Sequence, residues 1–223
     1  MTRTAVQYGV GPIGKRIVQV AHRRGIEFVG AIDIDPAKAG EDLGEIAALD
    51  APLGVEISDS PADALAAEPD VVFHSTISDV TKIASQIEPA VEAGADVVST
   101  TEELSFPWYH NPDAAAYLDD LASQHGQTIL GTGINPGFAM DTLPAVLTTP
   151  CQHVDSVSVT RVQNASQRRK PLQEKVGAGL SEATWREEIA PEAGHVGLPE
   201  SIAMLAAALD WDLTDIEETI EPV

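Results

Sequence analysis

Three glycines near the amino terminus have the spacing that brings a backbone close to a phosphate group. Gly9, Gly11 and Gly14 form the pattern Gly-x-Gly-x-x-Gly, and Asp33 follows at the end of the next apolar segment. In such a turn the first glycine permits a tight bend, the second lets the backbone approach a pyrophosphate, and the third lets a helix pack against a strand. The helix start then offers free amides to the phosphates. The residues predicted to line a dinucleotide are Gly9, Gly11, Pro12, Ile13 and Gly14.

The acidic residue after the second predicted strand bears on which dinucleotide is bound. A carboxylate at Asp33 is able to accept hydrogen bonds from ribose hydroxyls, and Asp35 is a second candidate. A carboxylate there disfavours a 2′-phosphate, and no arginine directly follows Asp33. We therefore expect NAD or NADP as the cofactor, with NAD favoured, although Lys38 could reach a phosphate.

The segments that position these groups alternate between strand and helix patterns. Short apolar runs predict strands at 4–8, 27–32, 54–57, 70–74, 96–99 and 128–130. Helix patterns separate them, and this alternation is typical of a parallel sheet covered by helices. The predicted fold class is α/β, with a Rossmann-type doubly wound parallel sheet.

The loops after the later strands should meet near a nicotinamide ring, because ligands of such sheets bind beyond the carboxyl ends of the strands. The residues expected to contact the cofactor there are His74, Ser75, Thr76, Thr100, Gly133 and Asn135. Two of them have other uses. A histidine at a strand end is commonly a structural residue, and Asn135 before Pro136 is suited to cap a helix.

Two adjacent acids, Glu102 and Glu103, follow the fifth predicted strand. A carboxylate in this loop is able to bind a substrate ammonium group or to accept its proton. The alternative is a pair of exposed loop acids, which is common in a chain this acidic.

The overall charge excludes one class of partner. The chain has 35 acidic against 13 basic residues and a formal net charge of −22, so nucleic acid would be repelled. The excess of acid suggests adaptation to high salt, and the alternative is an ordinary acidic cytosolic enzyme. No secretory signal is recognisable and no apolar run approaches the ~20 residues of a membrane span, so a soluble, cytoplasmic protein without a membrane partner is expected.

The single cysteine, Cys151, excludes an internal disulfide and is expected to be a buried free thiol. The sequence has neither the paired Cys or His spacing of a metal site nor a Gly-x-Ser-x-Gly turn. Metal and acyl-enzyme chemistry are therefore not expected.

The segment after residue 148 departs from the strand and helix alternation. Alternating apolar residues predict a strand over 154–162, and a capping-box pattern predicts a helix over 214–220. Basic residues are concentrated between them. Arg168, Arg169 and Lys170 form either an anion site for a substrate carboxylate or a solvated basic loop.

These segments together resemble the 2,4-diaminopentanoate dehydrogenase family. The similarity lies in residues 9–14, 31–36, 99–109, 131–138, 161–173, 175–179 and 194–201. It implies a dinucleotide-binding domain over 1–148, related to the first domain of dihydrodipicolinate reductase. It also implies an α+β substrate domain over 149–223 that is incomplete, because family members continue further. The family has an arginine where this chain has Ile34, which removes one partner for a 2′-phosphate.

The resemblance implies NAD(P)-dependent oxidative deamination of a diamino acid, by hydride transfer to the nicotinamide. The acid–base residue is then expected among Glu102, Glu103 and His195. The substrate is expected to be held by Arg168, Arg169, Lys170 and Asn135. A homo-oligomer is expected, since apolar surface left by an incomplete domain favours association.

Two other functions remain open from the sequence. One is an imine reductase of lysine biosynthesis like dihydrodipicolinate reductase, although its substrate motif of histidine and lysine is not visible. The other is a non-catalytic nucleotide-binding fragment or regulatory module, which would bind a cofactor without turnover.

Overall fold

The computed structural model describes residues 2–167, 170–190 and 196–222. Three of the residues predicted to act on the substrate, Arg168, Arg169 and His195, lie outside the described residues.

Six parallel strands form a sheet at the centre of the described chain, in the order β3-β2-β1-β4-β5-β6. They are β1 (Thr4–Tyr8), β2 (Glu27–Ile32), β3 (Ile57–Ser58), β4 (Val71–His74), β5 (Asp96–Ser99) and β6 (Ile129–Gly131). The sheet grows in opposite directions from β1 and from β4, and a sheet of this kind binds ligands at the crevice where the order reverses. The predicted α/β class and parallel sheet are confirmed.

Helices connect the strands and cover both faces of the sheet, and further helices follow the last strand. They are α1 (Pro12–Arg23), α2 (Leu43–Ile46), α3 (Pro61–Leu65), α4 (Val80–Glu92), α5 (Pro112–His125), α6 (Thr142–Thr148), α7 (Lys170–Lys175), α8 (Glu182–Glu188) and α9 (Leu198–Ala208). Their ends follow local chemistry. Asp79 caps α4 by accepting from the amide of Thr81, and Gly126 ends α5 in the left-handed conformation.

The strands bury alternate side chains on the two faces of the sheet. Val6 packs in one cluster with Ile83 and Ile87 of α4, whereas Ala5 packs in the other with Val18 of α1. Both clusters are fully buried at these positions, which explains why apolar residues occur on both faces of the central strands.

Two predicted elements after residue 148 are wrong. Residues 154–162 form no strand, because a strand needs a neighbour to pair with and the described residues offer none to this segment. Residues 214–220 form no helix. A helix this short is marginal without packing, and Glu217 and Glu218 would place negative charge towards its carboxyl end.

Cys151 is exposed rather than buried. Its amide donates to the carbonyl of Thr148 at 2.8 Å, so it lies in the turn that ends α6 and faces solvent.

No helix among the described residues is long and apolar enough to cross a membrane.

Candidate dinucleotide and substrate site

The carboxyl ends of the central strands lie side by side, as the sequence predicted. His74 is in register with Ser99, and Ser99 is in register with Gly131. The hydrogen bonding continues one residue beyond the strands: the amide of Ser75 donates to Tyr8 and that of Thr132 to Ser99, at 2.8 and 2.9 Å. The loops that follow β1, β4, β5 and β6 therefore leave the sheet as one edge.

The glycine turn after β1 has the geometry that a dinucleotide requires. Gly9 has a φ of +87°, and a side chain there would lie 2.5 Å from the carbonyl oxygen of Ser75. A side chain at Gly14 would overlap the carbonyl of Gly9, so this position is needed for the close approach of α1 to β1. Gly11 differs, because its φ of −75° is ordinary and no heavy atom lies within 4 Å of its Cβ position. The space that a pyrophosphate would occupy is therefore open at Gly11.

Pro12 and Ile13 begin α1 at the same edge, and Ile13 remains 47% exposed. The first amides of α1 receive no side-chain cap. Unsatisfied helix amides beside open space are suited to bind phosphate oxygens. The residues of this turn fit a dinucleotide.

Gln7 supports the turn from below and was not recognised from the sequence. Its fully buried side chain donates through Nε2 to the carbonyl of Gly9 and to Oγ of Ser75, both at 3.0 Å. Ser75 in turn donates to Gly9 at 2.9 Å, so the loops after β1 and β4 are joined. The available signal was a polar residue inside an otherwise apolar central strand.

Asp33 lies at the end of β2 and both of its oxygens are engaged. Oδ2 accepts from the amide of Val10 at 2.7 Å and from Nζ of Lys38 at 2.9 Å, and Oδ1 accepts from the amide of Asp35 at 2.9 Å. Burial acts to raise the pKa of Asp33, but the hydrogen bonds from Lys38, Asp35 and Val10 outweigh it and hold the pKa below its ordinary value. Asp33 is therefore ionised and ties the glycine turn to the loop after β2.

His74 is a buried structural residue in this structure. Its ring lies 2.8 Å from Oγ of Ser99 and 2.8 Å from Oε1 of Gln86, and Thr76 contacts it at 3.0 Å. Burial lowers the pKa of His74, while the contact with Gln86 opposes this. The ring is fully buried, whereas Ser75 is half-buried and Thr76 is exposed, so these two are the residues of this loop whose side chains solvent reaches.

The two adjacent acids after β5 have different surroundings. Glu103 accepts from the amide of Val80 at 2.9 Å and from Nδ2 of Asn111 at 3.4 Å, so it holds the start of α4. Glu102 is half-buried, and no hydrogen bond or ion pair joins its carboxylate to another described residue. Of these two acids, Glu102 is the one whose carboxylate has no hydrogen-bond partner among the described residues and is left for a ligand.

Glu102 lies where three segments meet. A side chain at Gly197, just before α9, would lie 3.1 Å from Cβ of Glu102 and 2.5 Å from Cδ of Pro136. The loop after β5, the loop after β6 and the start of α9 are thus in close contact. Thr100 lies in the same region, with its amide donating to the carbonyl of His74 at 2.9 Å.

Asn135 does not cap α6, contrary to one of the two uses considered for it. Asp141 caps that helix, and this fully buried carboxylate also accepts from the amide of Gly137 at 2.9 Å. Ser201 of α9 donates to Asp141 at 2.8 Å and lies 3.3 Å from Oδ1 of Asn135. Asp141 takes the capping role because it directly precedes the helix. Asn135 remains in the loop beside Gly133, half-buried.

A second contact holds α9 against the loop after β5. His110 and Glu200 are 2.9 Å apart, and Glu200 is only 2% exposed.

Of the basic residues predicted to hold the substrate, Lys170 begins α7 and is exposed. The structure does not bring Lys170 into a hydrogen bond with a described residue of the loops above.

A parallel sheet of this order, with a glycine turn at its switch point and an acid ending β2, defines a Rossmann-type dinucleotide-binding protein. Comparison with known proteins narrows the class. Residues 138–223 match the family model of the 2,4-diaminopentanoate dehydrogenase C-terminal domain.

Two relatives and one solved structure agree with this match. The 2,4-diaminopentanoate dehydrogenase of Acetoanaerobium sticklandii is 36% identical over 157 residues, which cover 69% of this chain and 44% of that protein. The amine dehydrogenase of Streptomyces virginiae is 27% identical over 225 residues, covering 97% and 62%. The structure of the amine dehydrogenase from Mycobacterium smegmatis superposes with a TM-score of 0.78 at 27% identity, covering 96% of this chain and 64% of that one.

The resemblance stated from the sequence is thereby confirmed: the chain is a relative of 2,4-diaminopentanoate dehydrogenases and amine dehydrogenases. It spans about half the length of the relatives that it matches.

Proposed function

We propose that this protein is an NAD(P)-dependent amine dehydrogenase that deaminates a diamino acid such as 2,4-diaminopentanoate. In the overall reaction, the protonated amine, the oxidised cofactor and water give a ketone, the reduced cofactor, ammonium and a proton. The observation that carries the proposal is the joint presence of a glycine turn open to a pyrophosphate and a C-terminal segment similar to 2,4-diaminopentanoate dehydrogenase.

The cofactor is NAD or NADP in this proposal, with NAD favoured. The bound nicotinamide dinucleotide would supply the hydride acceptor. The protein would hold its pyrophosphate at Gly9, Gly11 and Gly14 and at the first amides of α1. Asp33 and Asp35 would face the ribose. Ile34, which is 87% exposed, carries no charge for a 2′-phosphate.

The loops that follow β4, β5 and β6 would orient the substrate against the nicotinamide. Ser75, Thr76, Thr100, Gly133 and Asn135 are the residues proposed to contact the cofactor at this edge. Gln7 holds the loop after β4, Ser201 contacts the loop after β6, and Thr101 ties the loop after β5 to the carbonyl of Ile77, so these loops are positioned before a ligand binds.

Glu102 is proposed as the acid–base residue. The substrate amine is protonated in water, and it must lose a proton before its carbon can release a hydride. A carboxylate without a partner in the described part of the chain is able to bind the ammonium and accept that proton. Glu103 is less suited, because its carboxylate already holds the amide of Val80. His195 remains a candidate from the resemblance alone.

The substrate carboxylate is proposed to bind the basic segment of Arg168, Arg169 and Lys170. This segment provides the concentration of cations that a small acidic molecule needs in a chain with a net charge of −22. The division into a dinucleotide-binding domain over 1–148 and a substrate domain over 149–223, and assembly into a homo-oligomer, belong to the same proposal.

An imine reductase like dihydrodipicolinate reductase is not favoured, because the relatives reported above are a 2,4-diaminopentanoate dehydrogenase and amine dehydrogenases. The test is a pair of neighbouring variants, Glu102→Gln and Glu103→Gln, assayed for cofactor reduction with 2,4-diaminopentanoate and either dinucleotide. We expect Glu102→Gln to lower kcat at least about 100-fold, the range of general base catalysis, while cofactor binding is retained.

Glu103→Gln is the matched control, and we expect it to lower thermal stability while kcat changes less than in Glu102→Gln. Equal activity of wild type and Glu102→Gln would remove Glu102 from the mechanism. Cofactor binding by the wild type without turnover of any amine would instead support a nucleotide-binding module.

A further inference from the structure

Lys38 is the cation of the loop that follows β2, and it contacts both acids of that loop. Its Nζ lies 2.9 Å from Oδ2 of Asp33 and 3.5 Å from Oδ2 of Asp35. The lysine side chain is 20% exposed and that of Asp35 is 45% exposed, whereas Asp33 is almost covered at 9%. The solvent-accessible side of these three charged residues is therefore formed by Lys38 and Asp35.

The contacts of Asp33 limit what it is able to do for a ligand. Three donors from the protein already share its two oxygens. One of them is the amide of Val10 in the glycine turn, so Asp33 has a structural task that does not depend on a ribose. The two residues beside it decide the charge that an adenosine 2′-position would meet.

We propose that Lys38 is the residue that determines the choice between NAD and NADP, and that it admits the 2′-phosphate of NADP beside NAD. This inference rests on the proposed function, since it assumes that the glycine turn binds a dinucleotide. With Lys38 in place, the two carboxylates and the ammonium sum to one negative charge.

Without Lys38 two carboxylates alone would face the ribose, and a phosphate would be repelled by both. An ammonium has three N–H donors, and two carboxylate contacts leave one donor for a phosphate oxygen. Ile34 contributes no charge, so no other side chain between residues 33 and 41 is able to offset the acids.

The test is isothermal titration of the full chain with NAD⁺ and with NADP⁺, which needs no substrate. We expect Lys38→Met to weaken NADP⁺ binding about tenfold relative to NAD⁺, the loss of one charge-assisted hydrogen bond. Lys38→Arg keeps the charge and should keep the ratio. Asp35→Asn removes one carboxylate and should shift the ratio the opposite way, towards NADP⁺.

Lys82→Met is the matched control, because Lys82 forms a similar pair with Asp79 at 2.7 Å but follows β4 rather than β2. It should leave the ratio of the two affinities unchanged. The inference is overturned if Lys38→Met weakens both dinucleotides equally, or if Asp35→Asn leaves the ratio unaltered. A wild type that binds neither dinucleotide would overturn the proposed function as well, so the two failures are distinguishable.

Discussion

Two glycines of one motif should respond differently to the same substitution, because one faces open space and the other faces backbone. At Gly11 the added methyl meets no atom within 4 Å, and the φ of −75° suits alanine. As a helix cap, alanine is less favourable than glycine by about 0.5 to 1 kcal/mol. Alanine also lowers the conformational entropy of the unfolded chain, which stabilises the folded state by about 0.4 to 1 kcal/mol. Gly11→Ala should therefore change the free energy of unfolding by less than about 0.5 kcal/mol.

At Gly14 the methyl would overlap the carbonyl of Gly9, and α1 would have to move away from β1. Such overpacking costs about 3 kcal/mol, and the better helix propensity of alanine offsets about 1 kcal/mol. The remaining loss of about 2 kcal/mol should lower Tm by roughly 4 to 8 °C in a chain of this size.

Gly11→Ala should keep the stability of the wild type but lose affinity for the dinucleotide. The methyl of Gly11→Ala would occupy the space proposed for the pyrophosphate and cost an amide contact of about 1.5 to 3 kcal/mol, which is roughly 10- to 100-fold in Kd. Thermal unfolding and isothermal titration on both variants provide the measurement. The reasoning is refuted if Gly11→Ala binds NAD⁺ as the wild type does, or if Gly14→Ala is as stable as the wild type.

Three further predictions concern stability. Asp141→Asn should lower the free energy of unfolding in urea by about 2 kcal/mol, because a buried carboxylate that accepts from Gly137 and Ser201 is replaced by a neutral amide; an unchanged midpoint would contradict this. Burial lowers the pKa of His74 below 6.5, so the folded protein favours the neutral ring. The contribution of this ring to the free energy of unfolding should be fully present above pH 6.5 and be lost as the pH falls below it, and His74→Gln should flatten this decline. With 35 acids against 13 basic residues, Tm should rise as KCl is raised to molar concentration, and a flat or falling profile would refute salt adaptation.

The sheet could be predicted because each strand carries its own signal. Residues 4–8 and 96–99 are short segments with apolar residues at their centres and a helix pattern after them, so local propensity and tertiary packing favour the same structure. The glycine turn was predictable for a related reason, since backbone conformation and close approach select glycine at Gly9 and Gly14.

The errors come from segments whose structure depends on partners. The alternation at 154–162 is a strand pattern, but pattern alone cannot provide a neighbouring strand. At 214–220 the capping box is present in the sequence, yet no apolar face of the segment is buried to stabilise a helix. The usual burial of cysteine predicts an interior Cys151, but the residue lies at the end of a helix and is exposed.

The site itself was predictable only to the level of loops. Sequence places Glu102 and Glu103 in one loop but cannot tell that Glu103 binds the amide of Val80, 23 residues earlier. Gln7 was missed for the same reason, because its partner Ser75 is 68 residues away. Such distant pairs are determined by topology, which the strand order reveals and the local sequence does not.

The tie between Ser201 and Asp141 has a consequence for the order in which the protein assembles. The two residues are separated by 60 positions, whereas the contacts of the glycine turn with Asp33 span only 23. Closing the shorter loop costs less chain entropy, so we expect the contact of Asp33 with the glycine turn to form before that of Ser201 with Asp141. The loop of Gly133 and Asn135 would remain unanchored until α9 docks. During synthesis, a chain that has not yet been extended to residue 201 would therefore be able to join Asp33 to the glycine turn while the substrate side was still open.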